Sequence, residues 1–103
     1  MFVPGTRLPS LNSLKAFVAI ARLRSFTRAA EAMHLTQPAV SRQIRELANS
    51  LNTELFIRGK YDIQLTPEGE TLYELVGPFL DQFSRIYCQN LEADKARESF
   101  VIF

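Results

Sequence analysis

Apolar residues recur at helical spacing through the first half of the sequence and predict three helices, each preceded by a residue that can cap it. The first helix is expected to begin after Ser10. The second begins after Ser25 or Thr27, and the third after Thr36. The predicted buried faces comprise Leu11, Leu14, Phe17, Val18 and Ala21 in the first helix, Phe26, Ala29, Ala30 and Met33 in the second, and Val40, Ile44, Leu47 and Leu51 in the third.

Residues suited to turns separate these helices. His34 lies where the second helix should end, and Asn52 lies where the third should end. Both residue types tolerate the left-handed backbone region better than most, so a sharp helix ending is expected at each. Pro38 fits the first turn of the third helix because its missing N–H is not needed there.

The pattern changes after the third helix. Two short extended segments on either side of Gly59 predict a two-stranded hairpin. The sequence Thr66-Pro67-Glu68 then predicts the start of a long helix, because it supplies a cap, a proline and an acid in that order. Gly77-Pro78 inside this helix should bend it. Its apolar residues recur at alternating spacings of four and three, as in helices that pair with one another: Leu72, Val76, Phe79, Phe83 and Ile86.

Composition is that of one globular domain, with 103 residues of which 47% are hydrophobic. The net charge of +1 conceals an asymmetry. Residues 1–65 carry nine basic and four acidic side chains, whereas residues 66–103 carry three basic and seven acidic ones. A basic half indicates a polyanionic partner. The single cysteine cannot form an internal disulfide, and neither a secretory signal nor a membrane-spanning stretch is visible, so we expect a cytoplasmic protein with no membrane partner.

The second and third predicted helices, joined by a tight turn, form a helix-turn-helix pattern. Polar side chains remain exposed at the start of the third helix, where glutamine can pair with adenine, arginine with guanine, and serine with a phosphate or a base. These residues are Gln37, Ser41, Arg42 and Arg45. A helical hairpin that merely fills a core has the same pattern, so the two helices alone leave both interpretations open.

Catalytic chemistry has no visible basis in the sequence. His34 is the one histidine and Cys88 the one cysteine, and each has a structural place in the predicted turn or beside the long helix. Neither metal-ligand spacing nor a glycine-rich phosphate loop occurs. We therefore expect neither enzyme activity nor catalytic residues, and no metal or cofactor.

Four stretches, taken together, resemble the LysR-type transcriptional regulators of bacteria: residues 25–31 (SFTRAAE), 35–44 (LTQPAVSRQI), 55–58 (LFIR) and 65–69 (LTPEG). Their order and spacing match along roughly residues 10–92. The opening residues 8–14 (LPSLNSL) resemble the branch of that family that includes glycine-cleavage and β-lactamase regulators.

The resemblance implies a mainly α fold: a winged helix-turn-helix over residues 1–66, with a three-helix core and a two-stranded wing, followed by a long linker and dimerisation helix over residues 67–95. Helix 37–51 would then enter the major groove of double-stranded DNA, and a homodimer would bind an interrupted inverted repeat. The implied DNA-binding residues are Ser25, Thr27, Thr36, Gln37, Pro38, Ser41, Arg42, Arg45 and Arg58. The implied dimerisation residues are Leu72, Val76, Phe79, Phe83 and Ile86.

The sequence also departs from the family pattern. Asn52 stands where glycine is common, Ala48 stands where glutamate is common, and Tyr61-Asp62 lies at the wing tip, where basic residues are frequent. Family members also continue into a larger effector-binding domain, of which residues 96–103 would be the start unless they form a disordered tail. No small-molecule effector is therefore expected to act on this chain. An alternative stays open: a truncated protein that pairs with a full-length relative and blocks it.

Overall fold

The computed structural model describes residues 3–59 and 62–96, with side chains described as far as residue 88. The mainly α winged helix-turn-helix fold expected from the sequence is confirmed. The elements in chain order are α1 (Leu11–Leu23), α2 (Phe26–Met33), α3 (Gln37–Leu51), β1 (Phe56–Arg58), β2 (Ile63–Leu65) and α4 (Pro67–Ala96). We call the β1–β2 hairpin the wing, and α1 to α3 with the wing the head.

Helix starts follow the predicted caps. The side chains of Ser10, Ser25 and Thr36 each accept a hydrogen bond from the backbone N–H three residues later, at 3.1, 3.0 and 3.3 Å. Each bond satisfies an N–H that the helix itself leaves unpaired. Of the two candidates for α2, Ser25 is therefore the cap, and Thr27 lies exposed in the first turn.

Helix ends are set by residues in the left-handed backbone region. His34 (φ 58°) ends α2 and Asn52 (φ 55°) ends α3, as predicted. At both ends the next residue's N–H also bonds back to a helix carbonyl, which completes a compact helix ending. Arg24 (φ 54°) ends α1 in the same conformation. This left-handed ending was not expected from the sequence, because arginine rarely adopts that conformation.

The core lies where α1, α2 and α3 cross beneath the wing. Ala29 and Ala30 are buried where small side chains let the helices approach closely. Phe56 from the wing contacts Phe17 and Phe26, with ring centres 5.3 and 6.1 Å apart. The largest fully buried side chains are Phe17, Ile20, Val40, Leu47 and Leu55.

Two residues assigned to buried faces are instead exposed. Leu11 is 45% exposed and Leu51 is 43% exposed. Both lie in terminal turns, Leu11 in the first turn of α1 and Leu51 in the last turn of α3. Helical spacing identifies the face of a helix but not how far along the helix its neighbours extend.

The wing is joined directly to the start of α4. Its strands pair antiparallel with Phe56 opposite Leu65. The buried Thr66 then connects both elements: its hydroxyl donates to the Glu54 carbonyl at 2.7 Å and accepts from the Gly69 N–H at 3.0 Å. From this start α4 continues as one helix through Pro78 to Ala96, and most of the predicted segment 96–103 lies outside the described residues.

Candidate nucleic-acid interface

The N-terminal half of α3 presents exposed and mostly polar side chains on the outside of the head. Gln37, Pro38, Arg42 and Arg45 are exposed, and Ser41 is half-buried. The opposite face of α3 holds Val40, Ile44 and Leu47, which are 0–8% exposed in the core. Because this apolar face is fully packed, the exposed face is held rigidly relative to the rest of the head.

Hydroxyl groups stand at the starts of both helices of the helix-turn-helix. The oxygens of Ser25 and Thr36 already accept a capping hydrogen bond each. A hydroxyl that accepts such a bond still has a proton to donate, and Thr27 lies exposed beside the α2 cap. These positions can therefore donate to an anion without losing the caps that start the helices.

The wing brings Arg58 to the start of α2. The Arg58 guanidinium carbon lies 4.3 Å from the centre of the Phe26 ring, within the range of a cation–π contact. Arg58 and Ser25 line the same surface cleft of about 320 Å³, between α2 and the wing. Two residues that are far apart in the sequence and were separately predicted to bind DNA thus lie at one place.

Arg24 lines this cleft as well, although it was not among the residues expected at the interface. Its guanidinium forms a salt bridge of 2.9 Å with the Asp62 carboxylate at the wing tip. The acid that departs from the family pattern is therefore paired with a base from the head. The sequence did place a basic residue, Arg24, directly before the Ser25 cap. Its pairing could not be predicted, because Asp62 is 38 positions away in the sequence.

The predicted dimerisation residues on α4 divide into two groups. Leu72 is half-buried and Val76 is 8% exposed, and both pack against the core of their own chain. Val76 was expected on the outer surface of α4 but is buried instead, because this part of α4 covers α1. Phe79, Phe83 and Ile86 are 52%, 47% and 57% exposed, and the two phenylalanine rings stack with centres 5.8 Å apart.

The part of the chain that the structure describes was expected to hold neither a metal site nor a membrane-spanning helix. Within it, no three acidic, histidine or cysteine side chains come together in a way that could hold a metal ion. None of its helices has the length and apolar character needed to cross a membrane.

Comparison with known proteins agrees with this geometry. Residues 11–70 match the family described as bacterial regulatory helix-turn-helix protein, lysR family. The chain is 42% identical over 97 residues to the HTH-type transcriptional regulator TrpI of Pseudomonas aeruginosa, covering 92% of this chain and 32% of TrpI. It is 38% identical to the glycine cleavage system transcriptional activator of Escherichia coli, covering 93% of this chain and 31% of that protein. The chain thus spans about a third of the length of these curated relatives.

A solved structure gives the same result for the fold. The crystal structure of the BenM DBD in complex with catB site 1 DNA superposes with a TM-score of 0.72 at 32% identity. The superposition covers 81% of this chain and 92% of the BenM chain. The similarity therefore extends over the head and part of α4 rather than over the helix-turn-helix alone.

Proposed function

Because this chain belongs to the lysR family of bacterial regulatory helix-turn-helix proteins, we propose that it binds a specific DNA sequence as a dimer and so regulates transcription. The observation that carries the proposal is the exposed polar start of α3, on a helix whose other face is buried in the core. An α-helix fits the major groove, and α3 would enter it with the side chains of Gln37 and Arg42 facing the base edges.

Base recognition is assigned to the exposed residues of α3. Glutamine can form two hydrogen bonds with adenine, and arginine can form two with guanine. Gln37 and Arg42 are both exposed, so their side chains are accessible for such contacts. Pro38, Ser41 and Arg45 would lie beside them along the groove.

Phosphate contacts are assigned to the hydroxyls and to the wing. Ser25, Thr27 and Thr36 would donate to the DNA backbone at the helix starts, where the helix dipole also favours an anion. Arg58, held over Phe26, would reach the backbone from the wing. Such contacts fix orientation on the duplex but carry little sequence information.

Dimerisation is assigned to the outer face of α4. An exposed surface containing Phe79, Phe83 and Ile86 is costly to leave in water and is typical of a protein–protein contact. A symmetric pairing of two α4 helices in antiparallel orientation would cover it, with the half-buried Leu72 at the edge toward each head, while Val76 stays in the core of its own chain. Two-fold symmetry then places two copies of α3 at a fixed separation, as an interrupted inverted repeat requires.

The test of base recognition begins with selection of bound duplexes from a random-sequence library by the full chain. On the selected duplex, Gln37→Ala and Arg42→Ala should each weaken binding by about 1–3 kcal/mol and relax the sequence preference. Thr27→Ala should weaken binding to selected and random duplexes alike. Asn49→Ala, at the exposed far end of α3, is the control and should bind normally. Equal losses on both duplexes for all variants would refute the groove assignment.

The test of dimerisation is Phe83→Asp, measured by sedimentation and by gel shift. A buried carboxylate at the pairing surface should yield a monomer that has lost most of its specific affinity. Thr71→Asp is the control, because it places the same charge in an exposed turn near the start of α4. If Phe83→Asp sediments like the unmodified chain, the pairing surface lies elsewhere.

The same exposed face of α4 also favours the alternative of pairing with a longer relative. A gel shift separates the two functions. A chain that recognises DNA by itself shifts its selected duplex alone. A chain that acts by blocking a relative shifts no duplex alone, and it removes the shift produced by a LysR-type protein mixed with it.

A further inference from the structure

Arg22 connects α1 to α4 through three hydrogen bonds. Its Nε donates to the Tyr73 hydroxyl at 2.8 Å, and its Nη1 and Nη2 donate to the two carboxylate oxygens of Asp81 at 3.1 and 2.9 Å. The guanidinium carbon also lies 5.7 Å from the centre of the Tyr73 ring. We call this set of contacts the Arg22 bridge.

The bridge spans the weakest point of α4. Tyr73 precedes the Gly77-Pro78 pair and Asp81 follows it. Proline cannot donate the backbone hydrogen bond that would hold this turn, so a helix bends most readily there. The bridge passes close above Gly77, since a Cβ at that position would lie 3.4 Å from the Tyr73 ring and 3.5 Å from the Arg22 Nη2 atom. The bridge thus ties together the two halves of a helix that could otherwise bend.

Beyond the bridge, packing between the head and α4 becomes looser. A groove of about 660 Å³ opens between α1 and α4, with Leu11 and Lys15 on one side and Phe83 and Tyr87 on the other. Within the described residues, the hydrogen bonds from α1 to α4 are those made by Arg22. Leu80 packs against the core just after Pro78, so the direction of the distal half of α4 depends on that apolar contact and on the directional bonds of Arg22.

The Arg22 bridge restricts the orientation of α4 more than it stabilises the fold. Its two charged side chains are 42% and 53% exposed, and salt bridges in such positions contribute little to folding stability. Hydrogen bonding to Asp81 and then to Tyr73 raises the pKa of Arg22, and the bond from Arg22 lowers the pKa of the Asp81 carboxyl. A planar guanidinium bound to both oxygens of a carboxylate restricts their relative orientation as well as their distance.

We propose that Arg22 is a positioning residue that, through Tyr73 and Asp81, fixes the direction of the distal half of α4 and so sets the half-site separation that the dimer accepts. This rests on the proposed function. Ten residues separate Val76 from Ile86, or about 15 Å of helix. A tilt of about 10° would therefore move Ile86 by about 3 Å, comparable with the rise of about 3.4 Å between successive bases on a DNA strand.

The first experiment measures the direction of α4 without DNA. Spin labels are attached to Cys88 on α4 and to a cysteine introduced by Asn49→Cys on α3, both at exposed positions. Labelled chains are mixed with an excess of unlabelled chains, so that pulsed electron paramagnetic resonance measures only the distance between the two labels within one chain. Arg22→Ala should broaden or shift the distance distribution, whereas Lys15→Ala, which removes the same charge from an exposed position on α1, should not. An unchanged distribution in Arg22→Ala would overturn the proposal whether or not the chain binds DNA.

The second experiment measures affinity for a series of selected duplexes whose half-site separation is changed by one or two base pairs, together with a duplex that carries one half-site. The unmodified chain should prefer its optimal separation by about tenfold over the others. Arg22→Ala, Asp81→Asn and Arg22→Lys should move or flatten this preference while leaving half-site affinity unchanged. Lysine retains the charge but lacks the planar guanidinium that bonds both Asp81 oxygens side by side while its Nε bonds Tyr73, so its behaviour separates geometry from charge.

The outcomes distinguish this proposal from the proposed function. If the unmodified chain binds none of the duplexes, the proposed function fails, and the spin-label distances still decide whether Arg22 directs α4. If the chain binds DNA and Arg22→Ala retains the same separation preference, the bridge does not set the spacing. If Arg22→Ala loses half-site affinity as well, Arg22 acts on the head itself and the proposal is wrong.

Discussion

Two glycines of α4 should respond in opposite ways to replacement by alanine. Both Gly69 and Gly77 are buried, yet their surroundings differ. A Cβ at Gly69 would lie well under 3.0 Å from the carbonyl oxygen of Leu55 and 3.1 Å from the Leu65 side chain. A Cβ at Gly77 would meet only ordinary contacts of 3.4–3.6 Å, all with side-chain atoms of Tyr73 and Arg22. Gly69 is therefore required for close approach, and Gly77 is not.

The expected magnitudes follow from these contacts. The Leu55 carbonyl cannot move freely, because it accepts the Thr66 N–H at 3.1 Å and Leu55 itself is 2% exposed. Forcing a methyl group against it should cost about 1–3 kcal/mol, near the upper end because the obstacle is backbone. Gly77→Ala should instead stabilise the chain by about 0.5–1 kcal/mol, the helix preference of alanine over glycine.

The assay is thermal unfolding of the full chain, followed by circular dichroism at one fixed protein concentration, since pairing would make Tm depend on concentration. About 4–8 °C per kcal/mol is expected for a domain of this size. With a cost near 3 kcal/mol, Gly69→Ala should therefore melt about 12–24 °C lower than the unmodified chain, and Gly77→Ala should melt about 2–8 °C higher. A Gly69→Ala chain that melts at or above the unmodified temperature would refute the rigid junction of wing and α4 described above.

Three further predictions follow from the structure. Asn52→Gly should leave Tm unchanged or raise it, whereas Asn52→Ala should lower the free energy of unfolding by about 1 kcal/mol and therefore lower Tm, because residue 52 has φ 55° and alanine is strained there. Equal Tm values for the two variants would contradict this. The stability difference between the unmodified chain and Asp81→Asn, measured by urea unfolding, should be small and constant from pH 8 to about pH 5. It should decline as the pH falls below about 4 and disappear only below the lowered pKa of the folded-state Asp81 carboxyl, which is charged beside Arg22 and Arg85 above that pH. A difference that persists unchanged at the acid end would show another cause. Affinity for duplex DNA should fall by about 0.9 log units per log unit of salt for each phosphate contacted, and a flat profile would exclude phosphate contacts.

Local hydrogen-bonding chemistry made much of the fold predictable. Ser10, Ser25 and Thr36 cap the helices that follow them, and His34 and Asn52 end helices in the left-handed region as expected. These features depend on residues within three or four positions of each other, so a short stretch of sequence contains both partners. Leu51 shows the limit, because its exposure depends on how far the neighbouring helices reach.

The candidate interface also has one part that the sequence predicts and another that it does not. The exposed start of α3 follows from helical spacing, since burial of Val40, Ile44 and Leu47 leaves the opposite face outside. The cleft that unites Arg58 with Ser25 could not be predicted, because the wing reaches α2 only in the folded chain. The same holds for the burial of Val76, since α4 has apolar residues on more than one face and spacing cannot tell which of them α1 covers.

The sequence by itself determined the helices, the wing, the chemistry of the exposed residues on α3 and the family to which the chain belongs. Only the tertiary structure decided which exposed charges pair. Arg24 binds Asp62 across 38 positions, and Arg22 binds Tyr73 and Asp81 across 51 and 59 positions. A long charged side chain at a helix surface has the same local pattern whether it faces water or a partner. Its role is therefore set by which elements cross beside it, and that depends on the packing of the whole chain rather than on its neighbours in sequence.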